Sequence, residues 1–294
     1  MTASRSRIRT WFVGIALLCT SAQAIGALQD GQAPPYVGTP ELVVERMLAL
    51  AKVGPSDTVI DLGSGDGRIV IHAARHMRAR GIGVEMMANL VEVSRRNASK
   101  AGVEDRVRFI VQDARAADLR EATVLTLYLG PDLNFELMPR ILATMRPGAR
   151  VVSHDFGISG WTPDAAERFE VPEKNYGRGG ESAIYLWIVP ANVAGRWQAT
   201  AGEGAQRRSF EFSLGQQFQF IEGTLHAGGR NLPLRSASLR GDRIAFELPD
   251  TGGGAVSADA DGDRMVGSMR LSANDPAPTA FVAHRIRARP DLYQ

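Results

Sequence analysis

The chain of 294 residues is 44% hydrophobic and 22% charged, which suits folded domains and excludes a largely disordered polypeptide. Its 34 lysines and arginines exceed its 32 aspartates and glutamates by two, and the surplus lies in Arg5, Arg7 and Arg9; without those three the balance is 31 against 32. No basic face survives the subtraction, which argues against nucleic acid as a partner gripped through many phosphates.

Residues 1–24 read as a secretory signal. Arg5, Arg7 and Arg9 form its basic region, Trp11 to Cys19 its apolar run, and Ala22-Gln23-Ala24 its cleavage site. The mature chain is expected to begin near Ile25, in the periplasm or cell envelope, or to stay cytoplasmic if the signal does not function. The apolar run falls short of the roughly 20 residues a spanning helix needs, so no stable membrane span is expected after cleavage. Cys19, the one cysteine, lies inside this segment and supplies neither an internal disulfide nor a cysteine-based metal cluster.

Residues 25–190 alternate helix-like and strand-like segments, the pattern of a parallel sheet with helices on both faces. Thr39-Pro40-Glu41 opens a helix with Thr39 as its N-cap. Strands are expected at Thr58–Leu62, Ile82–Glu85, Val107–Val111, Val124–Leu129, Arg150–His154 and Ser182–Val189. Helices follow the first two strands, and another runs from about Asn134 to Met145. After Pro190 the character changes: Phe210-Glu211-Phe212, Phe218-Gln219-Phe220 and Ile244-Ala245-Phe246 alternate between glycine turns. Residues 191–294 therefore predict a second, antiparallel all-β domain of about eight strands, an up-and-down barrel or rolled sheet. Gly195-Arg196-Trp197 opens it in a way similar to lipocalin- and avidin-like barrels, a likeness that implies no ligand.

The most informative stretch is Val59-Ile60-Asp61-Leu62-Gly63-Ser64-Gly65-Asp66-Gly67-Arg68. A strand running through glycines into a helix lets the backbone approach a ligand and points free N–H groups at it. A dinucleotide fold wants a third glycine where Arg68 stands, and Asp61 and Asp66 would repel a diphosphate while suiting a cationic amino-acid ligand. Glu85 ends the second strand, where an acid can accept from both ribose hydroxyls. Asp113 follows the third, placed to receive an exocyclic amine. Adenine, an unphosphorylated ribose and an amino-acid tail together describe S-adenosyl-L-methionine.

On these motifs, residues 36–190 resemble a class I (seven-strand, Rossmann-like) S-adenosylmethionine-dependent methyltransferase. The closer likeness is to the protein-lysine methyltransferases related to the ATP-synthase c-subunit lysine methyltransferase. It rests on Tyr36-Val37-Gly38-Thr39-Pro40, Asp61 to Arg68, Leu127-Tyr128-Leu129-Gly130-Pro131 and Val151-Val152-Ser153-His154-Asp155-Phe156. The resemblance implies that Asp61, Gly63, Gly65 and Gly67 cradle the methionine part, Glu85 the ribose and Asp113 the adenine. It implies direct SN2 methyl transfer, with a protein lysine amine as acceptor. Many N-methyltransferases carry Asn/Asp-Pro-Pro-Tyr after the fourth strand, where this chain has Tyr128-Leu129-Gly130-Pro131, so a small-molecule acceptor and a non-catalytic adenosyl-ligand binder stay open.

Tyr36 and Tyr128 are expected as aromatic walls of the cofactor and methyl channel, attracting a sulfonium or ammonium by cation–π interaction. His154 and Asp155 are candidates for relaying a proton. Trp161 is expected to cover a loop. His72 and His76 lie four apart on a helix, but no third ligand is apparent and no metal is expected. Asp259 to Asp263 reads as a hairpin turn, because a calcium loop of the EF-hand kind would need glycine where Arg264 stands.

Overall fold

A computed structural model describes residues 37–288, apart from 178, 203, 205, 206, 250–252, 271, 273, 275 and 276. The expected signal segment, Cys19 and Tyr36 lie outside the described residues. The first sheet is built from β1 (Thr58–Leu62), β2 (Arg80–Glu85), β3 (Val107–Val111), β4 (Val124–Leu127), β5 (Arg150–His154), β6 (Ala165–Glu170) and β7 (Glu181–Ile188). Its order is β3-β2-β1-β4-β5-β7-β6, with β7 antiparallel to both neighbours and the other pairs parallel. Helices α1 (Glu41–Leu50), α2 (Arg68–Met77), α3 (Ala88–Ala101) and α4 (Pro131–Thr144) complete the layers. This is the mixed seven-strand sheet of the class I methyltransferases.

Side chains alternate across a strand, so each strand feeds two cores. Val59, Val124, Val152 and Ile184 pack beneath α1, α2 and α3 with Val44, Met47, Val70 and Val91. Ile60, Leu125, Val151 and Trp187 face the other way and meet Leu137 and Ile141 of α4. The central parallel strands β1, β4 and β5 are buried along most of their length, which explains why they read as short apolar runs.

Four expectations change in the first sheet and its helices. Pro40, not Thr39, is the residue before α1, and no side chain caps that helix: Thr39 is buried, with its carbonyl held by the Arg68 guanidinium. Strand β4 stops at Leu127, and α4 starts at Pro131 instead of Asn134, because Gly130 takes φ 90° and hands the chain to a proline suited to the first helical turn. Strand β6 has no counterpart among the expected elements. It is an edge strand whose half-buried row is Ala165, Glu167 and Phe169, too weakly apolar to stand out.

The second sheet has nine described strands, not eight: β8 (Gly195–Ala201), β9 (Arg208–Gln217), β10 (Phe220–Ala227), β11 (Arg230–Pro233), β12 (Arg235–Arg240), β13 (Arg243–Glu247), β14 (Ala255–Asp261), β15 (Arg264–Arg270) and β16 (Thr279–Ala288). Every neighbouring pair in the order β11-β10-β9-β8-β16-β15-β14-β13-β12 is antiparallel, giving a rolled, nearly closed sheet. At the outer seam, Leu234 N–H donates to the Gly223 carbonyl (2.8 Å). Trp197 is fully buried, with the Arg285 guanidinium 4.5 Å from its ring centre. Gly241-Asp242 and Gly262-Asp263 are hairpin turns, as expected. The described residues form one compact unit.

Candidate functional site

The glycine loop leaves β1 at the carboxyl edge of the sheet. Gly63, Gly65 and Gly67 all take positive φ (74°, 54° and 82°), a region that disfavours side chains. A Cβ on Gly63 would stand 2.6 Å from Leu129 Cδ2, and one on Gly67 2.7 Å from the Phe109 ring. The N–H groups of Gly63 and Ser64 donate to the Val84 carbonyl (2.8 and 3.0 Å), which lays the loop across the end of β2. Glu85 then fastens it: its Oε2 accepts from Gly65 N–H (3.0 Å) and its Oε1 from Met87 N–H (2.9 Å).

Asp61 is 3% exposed and lies in register with Thr126 of β4, whose hydroxyl donates to its Oδ1 (2.6 Å). Burial pushes the Asp61 carboxyl up to about 7; the Thr126 hydrogen bond opposes this, and the charges of Glu85 and Asp66 add to it. Three carboxyl groups thus crowd one loop. Asp66 is paired with Arg68 (2.7 Å), whose guanidinium also donates to the Thr39 carbonyl (2.8 Å) and lies against Gly38. Asp113 follows β3 at the same edge. It is half exposed, caps a short helical turn and accepts from Arg115 N–H (2.7 Å).

A second cluster gathers after β4 and β5. The Tyr128 ring lies 4.1 Å from the His154 ring and 6.0 Å from Phe156. His154 is fully buried; its Nε2 meets Ser182 Oγ (3.0 Å), while its Nδ1 has no partner among the described residues. Burial pulls His154 down to about 4, with Asp155 opposing and Lys174 reinforcing, so the ring is neutral near pH 7. Asp155 takes φ 59°, unusual for a residue with a side chain. Its Oδ2 accepts from Lys174 Nζ (2.5 Å) and its Oδ1 from Ala183 N–H (3.1 Å). Burial, the charge of Asp155 and a hydrogen bond to Tyr176 all raise the Tyr128 hydroxyl above its ordinary value. Tyr176 in turn donates to the Gly38 carbonyl (2.8 Å).

The structure therefore brings Asp61, Gly63, Gly65, Gly67 and Glu85 together, and separately Tyr128, His154 and Asp155. Thr126, two residues before Tyr128, joins the groups. Lys174, Tyr176, Ser182 and Asn134 escaped the sequence reading. Lys174 was legible only as one of three lysines in the chain, and its burial at 2% comes from tertiary packing. Trp161 is buried against Trp187 and Phe218, in keeping with a covering role. His72 does find further candidate ligands: Glu41 and Glu45 of α1 each bring an oxygen within 4.8 Å of the other ligand atoms, and Glu41 pairs with His72 Nδ1 at 2.6 Å. Those acids sit on another helix, invisible to local spacing.

The loop suits S-adenosylmethionine on its own evidence of shape and charge: a glycine cradle that side chains would fill, and an acid whose carboxyl is raised by burial, with the charges of Glu85 and Asp66 adding to the effect. A cationic amino-acid tail relieves that charge, and Glu85 keeps lone pairs for a ribose. Residues 61–165 match the model of the ANTKMT methyltransferase domain. The chain is 39% identical over 156 residues to a protein-lysine N-methyltransferase of Saccharolobus islandicus, covering 53% of this chain and 93% of that protein. It is 35% identical over 131 residues to the mouse adenine nucleotide translocase lysine N-methyltransferase, covering 45% of this chain but only 57% of that protein. A crystal structure described as an RNA methyltransferase from Salinibacter ruber with S-adenosyl-L-homocysteine shares 45% identity, covering 53% of this chain and 96% of that one, with a TM-score of 0.48. Matched across nearly the whole archaeal relative, with the strand order and the acidic glycine loop in place, this chain belongs to the S-adenosylmethionine-dependent protein-lysine N-methyltransferase family.

Proposed function

We propose that the protein transfers the methyl group of S-adenosylmethionine to a lysine side-chain amine of a protein. The observation that carries this reading is the place of Tyr128, whose ring stands beside those of His154 and Phe156 in the residues that follow β4. Burial raises its hydroxyl above the ordinary value, so the phenol is protonated at neutral pH. What Tyr128 offers an incoming group is oxygen lone pairs, an acceptor for the N–H of a neutral amine. The naming of the archaeal and mouse relatives as lysine methyltransferases supports the same acceptor.

When bound, S-adenosylmethionine supplies an electrophilic sulfonium methyl. The chain must then orient an unprotonated nucleophile and exclude water. Asp61 would hold the amino-acid tail in the cradle that Gly63, Gly65 and Gly67 leave open, Glu85 the ribose and Asp113 the adenine. Tyr128 would orient the amine, with Phe156 walling the channel. His154 and Asp155 are engaged by Ser182, Lys174 and Ala183 and stand behind Tyr128 as support, so the amine arrives neutral and its proton leaves to solvent after transfer.

Purified protein incubated with tritiated S-adenosylmethionine and envelope extract tests this. Label recovered as methyl-lysine after acid hydrolysis supports the reading; label only in small molecules or RNA defeats it. The signal-like residues 1–24 support work in the periplasm or envelope, and fractionation of cells with an antibody to the chain tests that.

A further inference from the structure

The two sheets are joined by more than the chain between them. The β9–β10 hairpin turns at Phe218, which takes φ 53° and is 8% exposed although it sits at a hairpin tip. Its ring stacks on Trp161 (5.6 Å between centres, 12° between planes), and it belongs to the core beneath α4 together with Trp161 and Trp187. The next residue, Gln219, makes two bonds to the same strip of the first sheet's chain. Its Oε1 accepts from Trp161 Nε1 (3.0 Å), and its Nε2 donates to the Thr162 carbonyl (2.7 Å). Gln216 fixes the hairpin from within, donating to the Phe218 and Ala191 carbonyls (both 2.8 Å).

Trp161 and Thr162 end the segment 155–164 that leaves β5 beside Tyr128. At its start, the Phe156 carbonyl accepts from Ser153 Oγ (2.6 Å) and Asn134 Nδ2 (3.1 Å), and the Phe156 ring neighbours Tyr128. Ile158 is buried, and its carbonyl accepts from Trp161 N–H (3.2 Å). The segment is thus tied to the first sheet at its start, and at its end both to the second sheet and to β7, where Trp187 Nε1 donates to the Trp161 carbonyl (2.9 Å) and Asp164 N–H to the Leu186 carbonyl (2.8 Å). Asp61, the glycine loop and Glu85 lie on β1 and β2 and make none of these contacts.

We propose that the β9–β10 hairpin of the second sheet, through Phe218 and Gln219, is a positioning device that holds segment 155–164 in shape for the methyl acceptor, leaving cofactor binding to the first sheet alone. The inference rests on the acceptor site lying at Tyr128 and Phe156. It gives the second sheet a part in methyl transfer. Two side-chain bonds and one aromatic stack are the kind of local anchorage whose loss opens a segment without unfolding the domain.

The test compares full-length protein with Gln219→Ala and with Phe218→Leu/Gln219→Ala, the leucine preserving most of the buried volume. Hydrogen exchange at residues 156–163 should quicken about tenfold, equivalent to about 1.4 kcal/mol of lost protection. Exchange at residues 61–67 and the affinity for S-adenosylhomocysteine should hold within twofold. With poly-L-lysine as acceptor probe, KM for the polymer should rise several-fold while KM for S-adenosylmethionine does not. Unchanged exchange at 156–163, or equal loss of protection across both sheets, overturns the proposal, as does a parallel rise in both KM values. Failure of the unmodified protein to methylate poly-L-lysine counts against the lysine reading instead, and the exchange arm alone then decides the hairpin's role.

Discussion

Lys174 Nζ lies 2.5 Å from Asp155 Oδ2, both side chains buried, with Ser182 Oγ and the Glu181 carbonyl taking the other two ammonium donors (3.0 and 2.7 Å). Every hydrogen on that ammonium is satisfied. The pair accounts for two buried charges at once, because each makes the other tolerable.

Breaking one side of this pair leaves an unpaired buried charge. Lys174→Met should therefore cost about 3 kcal/mol or more of unfolding free energy. Adding Asp155→Asn should restore much of that loss, since the asparagine keeps the Ala183 N–H bond and tolerates positive φ. Urea titration of the two single variants and the double variant measures the coupling.

Asp61 gives a stability effect of opposite sign to its role in binding. Its carboxyl is held near 7 in the fold against an unfolded value near 4, so the folded state binds the extra proton between those pH values. Stability contributed by that proton is present at low pH and is lost as pH rises through 7. Asp61→Asn should raise the melting temperature at pH 8 by several degrees and leave it little changed at pH 4. The same substitution should weaken S-adenosylmethionine binding at least tenfold, and affinity of the unmodified protein should improve as pH rises through 7.

His154 titrates the other way. Its ring is pulled to about 4 from an unfolded value near 6.5, so the unfolded state binds more protons between them. Its contribution is present above about 6.5 and lost as pH falls toward 4. A thermal-melt series from pH 7 to 4 should show this loss, and His154→Gln should flatten it.

Tyr128→Phe removes the hydroxyl and keeps the ring beside His154 and Phe156. We expect S-adenosylhomocysteine affinity within twofold of the unmodified protein and kcat for lysine methylation lower by tenfold or more. Calorimetry together with a tritium-transfer assay separates the two.

Much of the first sheet was legible because its central strands β1, β4 and β5 are buried on both faces and read as short apolar runs, and because Gly63, Gly65 and Gly67 each take positive φ. Asp61 and Glu85 could be placed from strand ends alone. The acceptor side was not legible in the same way. Lys174 and Tyr176 come from the loop of the edge hairpin and Ser182 from its second strand, and they meet Asp155 and Tyr128 through pairing of β5 with β7, far apart in sequence. Strand β6 escaped because an edge strand needs only one half-buried row. The Phe218–Gln219 tip read as an alternating strand, and nothing local marks it as part of the other sheet's core.

The measurement that reaches the central claim most directly is calorimetric titration of the full chain with S-adenosylhomocysteine, repeated on Glu85→Ala. The account predicts micromolar binding by the unmodified protein and at least tenfold weaker binding by the variant, which loses both the ribose acceptor and the tie to Gly65. No binding by folded protein, or equal binding by both, would contradict it.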